Sequence, residues 1–418
     1  MKFNVNQQDL QQALNYCQGV IEKRSTLPIL SNVLLNASNS NLTITATDLD
    51  LLGDFMFKNK VVLLTSIALL TASSSAMAVN LKIQSVLNST GSEVGYVRDF
   101  AEDVAALTNG RVTMEILPGG SVVPNADIID AVDAGLLDGG FAWTHYWSGK
   151  HPAAMLFGSP IAGAGVGIDN IAWLSWFHAA GGKELYAQLW KEMDVNVHGL
   201  MLQPVGPEAL GWFKEPINSM DDFRKLRFRA PPGIPGQTYI DIGVAAVAMG
   251  GGDILPALEK GVIDAAEWCC PEPDRDFGFQ KVLKYYYLQG LHQNVVNADM
   301  YINGDKWNAI SKDDQRAIEI AARAARLDSM SNRIYKNGIA LDDLLTNHGV
   351  QLMDTPDDYF VEYMAAANAT LNKNANENAF FAEVWQSQKD FAKIAVPFWS
   401  GAQMSNAKLG MAFAETLK

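Results

Sequence analysis

The feature that most constrains the fold of this chain is an export-signal pattern that lies inside it. Residues 56–60 supply a methionine and two lysines, residues 61–70 are mostly apolar, and residues 71–78 are small or apolar and end in Ala-Met-Ala. This order is typical of a secretory signal peptide, and the apolar stretch is shorter than the roughly 20 residues of a membrane span. We therefore predict a signal peptide over residues 56–78, a mature chain that begins at Val79 and a periplasmic location. A short buried helix is the alternative.

The segment before this pattern carries a different signature. A helical stretch up to about Val20 is followed by T-L-P-I-L-S-N-V-L-L over residues 26–35 and by L-T-I-T-A-T-D-L-D over residues 42–50. These patterns resemble the N-terminus of the DNA polymerase III β subunit, the bacterial sliding clamp. The clamp ring needs three complete domains per subunit, and a few strands with one helix leave sheet edges unpaired. We expect residues 1–51 to be a truncated clamp-like segment, joined to a second protein by fusion or in a chimeric gene model.

The composition of the second part argues against several classes of function. From Val79 onward the chain has 27 Lys and Arg against 41 Asp and Glu, which is unsuited to a general nucleic-acid-binding surface. The whole chain has three cysteines, too few for a disulfide scaffold, and H-E-x-x-H, G-x-S-x-G, Walker A and G-x-G-x-x-G patterns are absent. Binding is therefore favoured over catalysis.

The order of predicted elements indicates the fold class. Strands are expected over residues 81–86, over 111–117 and from 139 onward, with helices over 93–107 and 125–135 between them. Strands that alternate with helices predict parallel sheets and an α/β architecture.

A long helix is predicted near the end of the second part. Ser311 and Asp314 have the spacing of a capping box, and the helical pattern continues to about Asn347, with Gly338 as a place where it could break. At 1.5 Å per residue, such a helix spans on the order of 50 Å and can cross two lobes.

A second family resemblance rests on residues 250–268, which read G-G-G-D-I-L-P-A-L-E-K-G-V-I-D-A-A-E-W. This motif resembles the signature of the substrate-binding proteins of TRAP (tripartite ATP-independent periplasmic) transporters. K-L-R-F-R at residues 225–229 and Y-W-S-G-K at 146–150 agree with it. The likeness covers nearly all of residues 81–418 and is closest to the branch that binds 2-oxo acids and lactate.

The resemblance implies a two-lobed fold like that of periplasmic binding proteins, in which the lobes close on one ligand. The expected first lobe is residues 79–204 with about 290–335, and the second is 205–289 with about 336–375. The helical tail, residues 376–418, exchanges between subunits in the 2-oxo-acid branch, so a homodimer is expected.

Arg229 matches the arginine that grips the ligand carboxylate in this family. A guanidinium group can make two parallel, charge-assisted hydrogen bonds to a carboxylate. The alternative is an ordinary surface arginine, because Arg224, Lys225 and Arg227 are close in sequence.

Glu267 and Trp268 match a Glu-Trp pair whose carboxylate and tryptophan backbone carbonyl help to hold a cation in that branch. Oxygen ligands suit a hard ion such as Na⁺ or Ca²⁺. Glu208 stands where the branch has a glutamine, and a second carboxylate favours a divalent ion such as Ca²⁺. The alternative is that Glu208 and Glu267 are only solvated or paired.

Aromatic residues complete the expected ligand pocket. Tyr146 matches a hydroxyl donor that lines the family's pocket, and Trp212 and Trp268 are expected to form walls of the cleft. The adjacent cysteines at 269 and 270 are expected as two buried thiols, with a vicinal disulfide as the alternative. Asp274 and Asp276 are expected at the surface.

The resemblance implies a receptor that captures a small organic acid and delivers it to the membrane subunits of a TRAP permease, without catalysis. Residues 1–51 alone would instead suggest a DNA replication factor. A secreted metal-dependent enzyme is the third alternative, with Glu208 and Glu267 as general base and metal ligand, but no motif supports it.

Overall fold

The computed structural model describes residues 78–416 with their side chains and, before them, the backbone of four strands. The chain divides into two compact units, residues 1–77 and 78–418. In the first unit the strands pair antiparallel in chain order: β1 (Leu34–Ser38), β2 (Asn41–Thr47), β3 (Leu52–Lys58) and β4 (Val61–Thr65). The helix expected before Val20 lies outside the described residues. Strands β3 and β4 overlap the expected signal peptide, which stays a prediction from the sequence.

The second unit alternates strands and helices, as expected. Its strands are β5 (Val79–Ser85), β6 (Val112–Leu117), β7 (Gly139–Trp143), β8 (Val197–Pro204), β9 (Gly211–Phe213), β10 (Arg227–Arg229), β11 (Ala245–Val247), β12 (Ala265–Ala266), β13 (Tyr285–Tyr287), β14 (Asn297–Asn303) and β15 (Gln351–Met353). Its α-helices are α1 (Ser92–Leu107), α2 (Ile128–Asp133), α3 (Ala154–Gly158), α4 (Asn170–Ala179), α5 (Gly182–Glu192), α6 (Met220–Arg224), α7 (Ile234–Asp241), α8 (Gly251–Glu259), α9 (Pro271–Phe277), α10 (Gly304–Ala309), α11 (Lys312–Asn347), α12 (Asp357–Glu377) and α13 (Ala379–Glu415).

These strands form two mixed sheets. The five-stranded sheet has the order β6-β5-β7-β14-β8, with β5 parallel to both neighbours and β14 antiparallel to both of its own. The six-stranded sheet has the order β11-β10-β12-β9-β13-β15, in which β9 runs antiparallel to β12 and β13. The chain passes from one sheet to the other after β8, returns after β13, and passes again along α11. The predicted α/β class is therefore confirmed, but the sheets are mixed rather than parallel as expected, because β9 and β14 run antiparallel to their neighbours.

Each sheet buries its own apolar residues. Leu81 and Ile83 on β5 pack with Phe100 of α1 in one core cluster. Trp212 and Tyr286 form part of another cluster, against the six-stranded sheet. Each sheet therefore has a cluster of its own, and a third, larger cluster contains residues of both sheets, among them Tyr301 on β14 and Phe213 on β9.

Helix α11 joins the two halves. The Ser311 hydroxyl accepts a hydrogen bond from the Asp314 backbone N–H at 3.1 Å, as the capping pattern predicts. The helix continues for 36 residues without the break considered at Gly338, and at 1.5 Å per residue it spans about 54 Å. Ile318 lies in the core of the first half and Leu344 in the core of the second.

The C-terminus is helical, as expected. Asn378 ends α12 and caps α13, where its Oδ1 accepts the Phe381 N–H at 2.8 Å. The first turns of α13 are buried through Phe381 and Trp385, whereas Ile394 is exposed farther along. Among residues 78–416, no helix combines the length and the apolar character that a membrane span requires.

Two expectations about polar residues are wrong. Cys269 and Cys270 are joined in a vicinal disulfide, whereas the sequence favoured two thiols. Asp274 is fully buried rather than at the surface, because Trp212 and Tyr286 both donate hydrogen bonds to its carboxylate.

A second carboxyl group is buried in the first half. Asp299 on β14 is 1% exposed; its Oδ2 accepts the hydroxyls of Thr144 and Tyr186, and its Oδ1 has no partner among the described residues. Desolvation raises the pKa of Asp299 to about 7, against these two hydrogen bonds, which lower it.

This shift predicts a loss of stability as the pH rises. Between pH of about 4 and 7 the unfolded chain ionises Asp299 while the folded chain keeps its proton, so the free energy of unfolding falls by at most about 4 kcal/mol. The Asp299→Asn variant should lose less stability than the wild type between pH 5 and pH 8 in urea denaturation. Asp103→Asn, at an exposed position on α1, should match the wild type. Equal pH dependence in all three proteins would contradict the expectation.

Candidate functional site

The site forms where strands of the six-stranded sheet end. Strands β10 and β12 are parallel neighbours, with Arg229 opposite Ala266, and the Glu267 N–H donates to the Arg229 carbonyl at 3.1 Å. Because parallel strands end at the same edge, the side chains of Arg229 and Glu267 meet there. The Arg229 Nη1 donates to the Glu267 carbonyl at 2.9 Å and also contacts the Glu267 carboxylate.

Two loops bring further polar groups to this edge. Glu208 lies between β8 and β9, where the chain first crosses between the sheets, and its N–H donates to the Gln293 carbonyl at 3.1 Å. His292 lies on the returning segment between β13 and β14. Arg229, Glu208, Glu267 and His292 are 7%, 6%, 1% and 0% exposed, so the site holds several polar groups away from water.

One edge of the Arg229 guanidinium has few strong contacts. Among residues 78–416, its Nε and Nη2 donate only to the Met249 carbonyl, both at 3.4 Å. The Arg229 Cζ lies 5.4 Å from the centroid of the Trp268 ring, which covers one face of the group. The Nε–Nη2 edge can therefore present two N–H groups to a carboxylate.

Glu208, Glu267 and His292 surround a common point. The His292 Nε2 lies 3.6 Å from the Glu267 Oε2 and 4.0 Å from the Glu208 Oε2, and the ligand atoms of the three residues all lie within 4.8 Å of one another. The Glu208 Oε2 and the His292 Nε2 have no hydrogen-bond partner among residues 78–416. Two buried carboxylates this close fit a hard cation, which takes oxygen ligands at about 2.3–2.6 Å.

The electrostatics of Glu208 show what this proximity costs. Desolvation, followed by the nearby Glu267 and Asp274 carboxyls, raises the pKa of Glu208 well above its usual range, and Arg229 and Arg333 lower it only in part. Without a cation, the Glu208 carboxyl is thus stabilised in its protonated form.

Tyr146 reaches the same region from the first half. Tyr146 lies in the 3₁₀ turn Thr144–Gly149, which follows β7, and the residue is 49% exposed. Desolvation, together with the nearby Glu208, raises the pKa of the Tyr146 hydroxyl to about 12 although Arg229 lowers it. The Tyr146 hydroxyl therefore keeps its proton at neutral pH and can donate a hydrogen bond.

The two predicted tryptophans differ in position. Trp268 is partly buried, packs on Phe277 with ring centroids 4.9 Å apart, and faces Arg229. Trp212 is 0% exposed, stacks on Tyr286 at 4.2 Å, and donates its indole N–H to Asp274 at 2.9 Å. Trp212 therefore lies in the core behind the site and does not form a cleft wall in this structure.

Sequence reasoning missed two of the buried polar groups here. Asp274 accepts the Cys269 N–H at 2.9 Å in addition to its side-chain partners, and desolvation raises the pKa of its carboxyl to about 7. His292 carries no motif that separates it from the other five histidines of the chain. His292 lies five residues after β13, a strand of the six-stranded sheet. This position is the one signal that could have identified it.

A second arginine belongs to helix α11 and faces the first half. The Arg333 Nη2 contacts the Glu93 carboxylate of α1 and lies 3.4 Å from the Gln203 Oε1. The Arg333 Cζ is also 5.5 Å from the centroid of the Tyr96 ring. Its positive charge acts on Glu208 across this region.

Two family models match the chain. The model for the bacterial extracellular solute-binding protein, family 7, matches residues 83–378. The model for the N-terminal domain of the DNA polymerase III beta subunit matches residues 1–63. Both resemblances seen in the sequence are therefore confirmed.

Individual relatives agree with the first model. The monocarboxylate 2-oxoacid-binding periplasmic protein of Nostoc sp. (strain PCC 7120) is 31% identical over 297 residues, which are 70% of this chain and 78% of that protein. A TRAP transporter solute-binding protein from Bordetella bronchiseptica RB50, a dimer with copurified calcium and picolinate, is 25% identical with a TM-score of 0.74, over 82% of this chain and 99% of that chain. A TRAP periplasmic solute-binding protein from Colwellia psychrerythraea with bound calcium and pyruvate is 26% identical with a TM-score of 0.71, over 79% and 98% of the two chains.

Proposed function

Because this chain belongs to family 7 of the bacterial extracellular solute-binding proteins, we propose that its second unit is the receptor of a TRAP transporter for a 2-oxo or 2-hydroxy acid. The observation that carries the proposal is a buried arginine with one open edge, Arg229, beside the buried carboxylate pair Glu208 and Glu267. A short acid with an oxygen next to its carboxylate offers groups for both parts of this site.

Arg229 binds the ligand carboxylate in this proposal. Its Nε and Nη2 would exchange their long contacts to Met249 for two short, charge-assisted hydrogen bonds, which are strong where water is excluded. Its Nη1 stays bound to Glu267, so the guanidinium keeps its orientation while the ligand enters.

Glu208, Glu267 and the Trp268 backbone carbonyl would hold a cation beside the ligand. When bound, such an ion supplies positive charge that attracts both the carboxylate and the neighbouring oxygen of the ligand. The unpartnered Glu208 Oε2 and the closeness of the two carboxylates fit that group. Two carboxylates favour Ca²⁺ over Na⁺, because hard divalent ions bind more strongly as the number of charged ligands rises.

Tyr146 provides the contact from the other half. Its hydroxyl keeps its proton at neutral pH and would donate to the ligand once the two halves close. The proposed lobes are residues 79–204 with about 290–335 and residues 205–289 with about 336–375. Closure of two lobes on a ligand is a hinge motion that the contacts to both lobes stabilise, and the closed form is the form we expect the permease subunits to recognise.

The proposal includes binding without catalysis. A metal-dependent enzyme would need an open metal position and a general base within reach of its substrate, and the similar proteins named above are solute-binding proteins. The clamp-like match covers residues 1–63 only, so a replication function for the whole chain has little support.

Ligand titration tests the receptor proposal directly. Isothermal titration calorimetry of residues 79–418 should show pyruvate or lactate binding in calcium, and weaker binding in sodium. Arg229→Lys should lose at least about 100-fold in affinity, since lysine keeps the charge but not the bidentate geometry. Glu208→Gln should reduce the difference between calcium and sodium.

Arg227 offers a matched control for that experiment. It lies two residues away on the same strand, its side chain is 52% exposed, and it is paired with Asp264. Arg227→Lys should bind like the wild type. An absence of binding to any short carboxylate, or full binding by Arg229→Lys, would overturn the proposed ligand class.

We also propose that the second unit is exported after cleavage following Ala78. N-terminal sequencing of protein from the periplasmic fraction should begin at Val79. A periplasmic protein that still carries residues 1–55 would show that the internal pattern is not used as a signal peptide.

The exposed face of α13 supports a homodimer. Beyond Ala392 the helix carries large apolar side chains in contact with solvent, namely Ile394, Phe398, Met404, Leu409, Met411 and Phe413, each at least 59% exposed. A row of such residues along one helix is typical of a surface that a partner covers. A dimer through this helix agrees with the exchanged tail that the family resemblance implies.

Light scattering after size-exclusion chromatography tests the dimer. The wild type should have twice the mass of one chain, and a variant that combines Phe398→Ser with Leu409→Ser should be monomeric while it still binds ligand. Lys393→Ser, an exposed polar position on the same helix, should remain dimeric. A monomeric wild type would exclude this assembly.

A further inference from the structure

His292 is a buried side chain of the site to which neither the ligand nor the cation proposal assigns a role. It is 0% exposed, and it is the one histidine that faces both carboxylates within the described part of the chain. Its two ring nitrogens have different surroundings. Nε2 points toward Glu208 and Glu267, whereas Nδ1 lies 3.0 Å from the Tyr239 hydroxyl. The question is which nitrogen carries the proton.

A chain of hydroxyl groups answers this question. The Tyr239 hydroxyl lies 3.2 Å from the Tyr359 hydroxyl, and the Tyr359 oxygen accepts the Leu291 backbone N–H at 3.0 Å. Because Tyr359 already accepts from the backbone, its own proton is free to be donated, and the Tyr239 oxygen is its acceptor among the described residues. Tyr239 then donates to Nδ1, and the proton of His292 resides on Nε2.

The opposite order is less well satisfied. If Nδ1 donated to Tyr239 and Tyr239 donated to Tyr359, the Tyr359 proton would have no acceptor in the described range 78–416. The Nε2 lone pair would also face the Glu267 carboxylate oxygen at 3.6 Å, which repels it, whereas the first order directs an N–H group at that oxygen.

We propose that His292 is a positioning residue that holds the Glu208 and Glu267 carboxylates together, with its Nε2–H directed between their Oε2 atoms. This proposal rests on the proposed function, in which the two carboxylates bind a cation. The distances of 3.6 and 4.0 Å are longer than a hydrogen bond, so a movement of somewhat less than 1 Å makes either bond. His292 acts through the two carboxylates and is not itself a ligand of the cation.

The surrounding charges explain why Glu208 needs this group. Arg229 contacts the Oε1 side of Glu267 directly, whereas no cation contacts Glu208 within the described residues, and Arg333 acts on it only at longer range. The Glu208 Oε2 has no hydrogen-bond partner among residues 78–416. The His292 Nε2 lies 4.0 Å from that atom and 3.6 Å from the Glu267 Oε2, so an N–H there faces both carboxyl groups.

The proton position can be measured without any cation or ligand. Long-range ¹⁵N–¹H correlation spectra of the full chain with ¹⁵N-labelled histidine should show the His292 Nε2 protonated, with the signal assigned by its loss in His292→Gln. Tyr239→Phe removes the donor to Nδ1 and should produce a mixture of the two tautomers. A wild-type Nε2 without a proton would overturn the proposal.

Calcium titration tests the positioning role. His292→Leu should lose about 10–100-fold in calcium affinity, as is usual when a group that orients metal ligands is removed. His292→Gln, which keeps an N–H at a similar distance along the side chain, should stay within about fivefold of the wild type. His348→Gln, at an exposed histidine, serves as the control.

The outcomes separate this inference from the function it rests on. If the wild type binds calcium but no carboxylate, the proposed ligand fails while the roles of Nε2–H and His292 stand. If calcium removes the proton from Nε2, His292 is a metal ligand and the positioning role is wrong. It is also wrong if His292→Leu binds calcium like the wild type.

Discussion

The structure of this site depends on one constraint, the burial of two carboxylates next to each other. Glu208 and Glu267 are 6% and 1% exposed, and the Glu267 carboxylate makes the ionisation of Glu208 less favourable. Such a pair is stable only if positive charge or protons compensate it. Arg229 compensates one side of Glu267, and the raised pKa of Glu208 keeps a proton there until a cation replaces it. In the proposed function this imbalance favours binding, because a cation and an anion together would supply the charges that the site lacks.

The fold supplies this arrangement by means of strand ends and crossing loops. Arg229 and Glu267 are fixed by the parallel pair β10 and β12, whereas Glu208 and His292 lie on the two segments where the chain changes sheets. In the proposed closure of the two lobes, residues on the crossing segments would move relative to residues at the strand ends. A cation that joins Glu208 to Glu267 would therefore connect the hinge region to the rigid sheet of the second half. Cation binding would in this way favour the closed arrangement of the two halves.

The sequence allowed the fold class and some of the site to be predicted. Local patterns predict α11 with its Ser311 cap, and the alternation of strands and helices predicts the α/β class, because both depend on residues close together in the chain. The wrong expectation for Asp274 concerns contacts between residues that are distant in the chain. Asp274 looks like a surface charge until Trp212 and Tyr286, 62 and 12 residues away, are seen to donate to it. The residues next to His292 in the sequence do not indicate its role, because that role depends on its proximity to Glu208 and Glu267.

Trp212 helps to stabilise the backbone next to the site, although it does not line the cleft. Its indole N–H and the Tyr286 hydroxyl both donate to Asp274, and Asp274 in turn accepts the backbone N–H of Cys269. This residue is two positions after Glu267, so the buried carboxyl fixes the backbone from which Glu267 and the Trp268 carbonyl project. An aromatic residue that seemed suited to contact the ligand therefore has a different use. Through Asp274 it stabilises the backbone next to Glu267 and the Trp268 carbonyl, which are the proposed cation ligands.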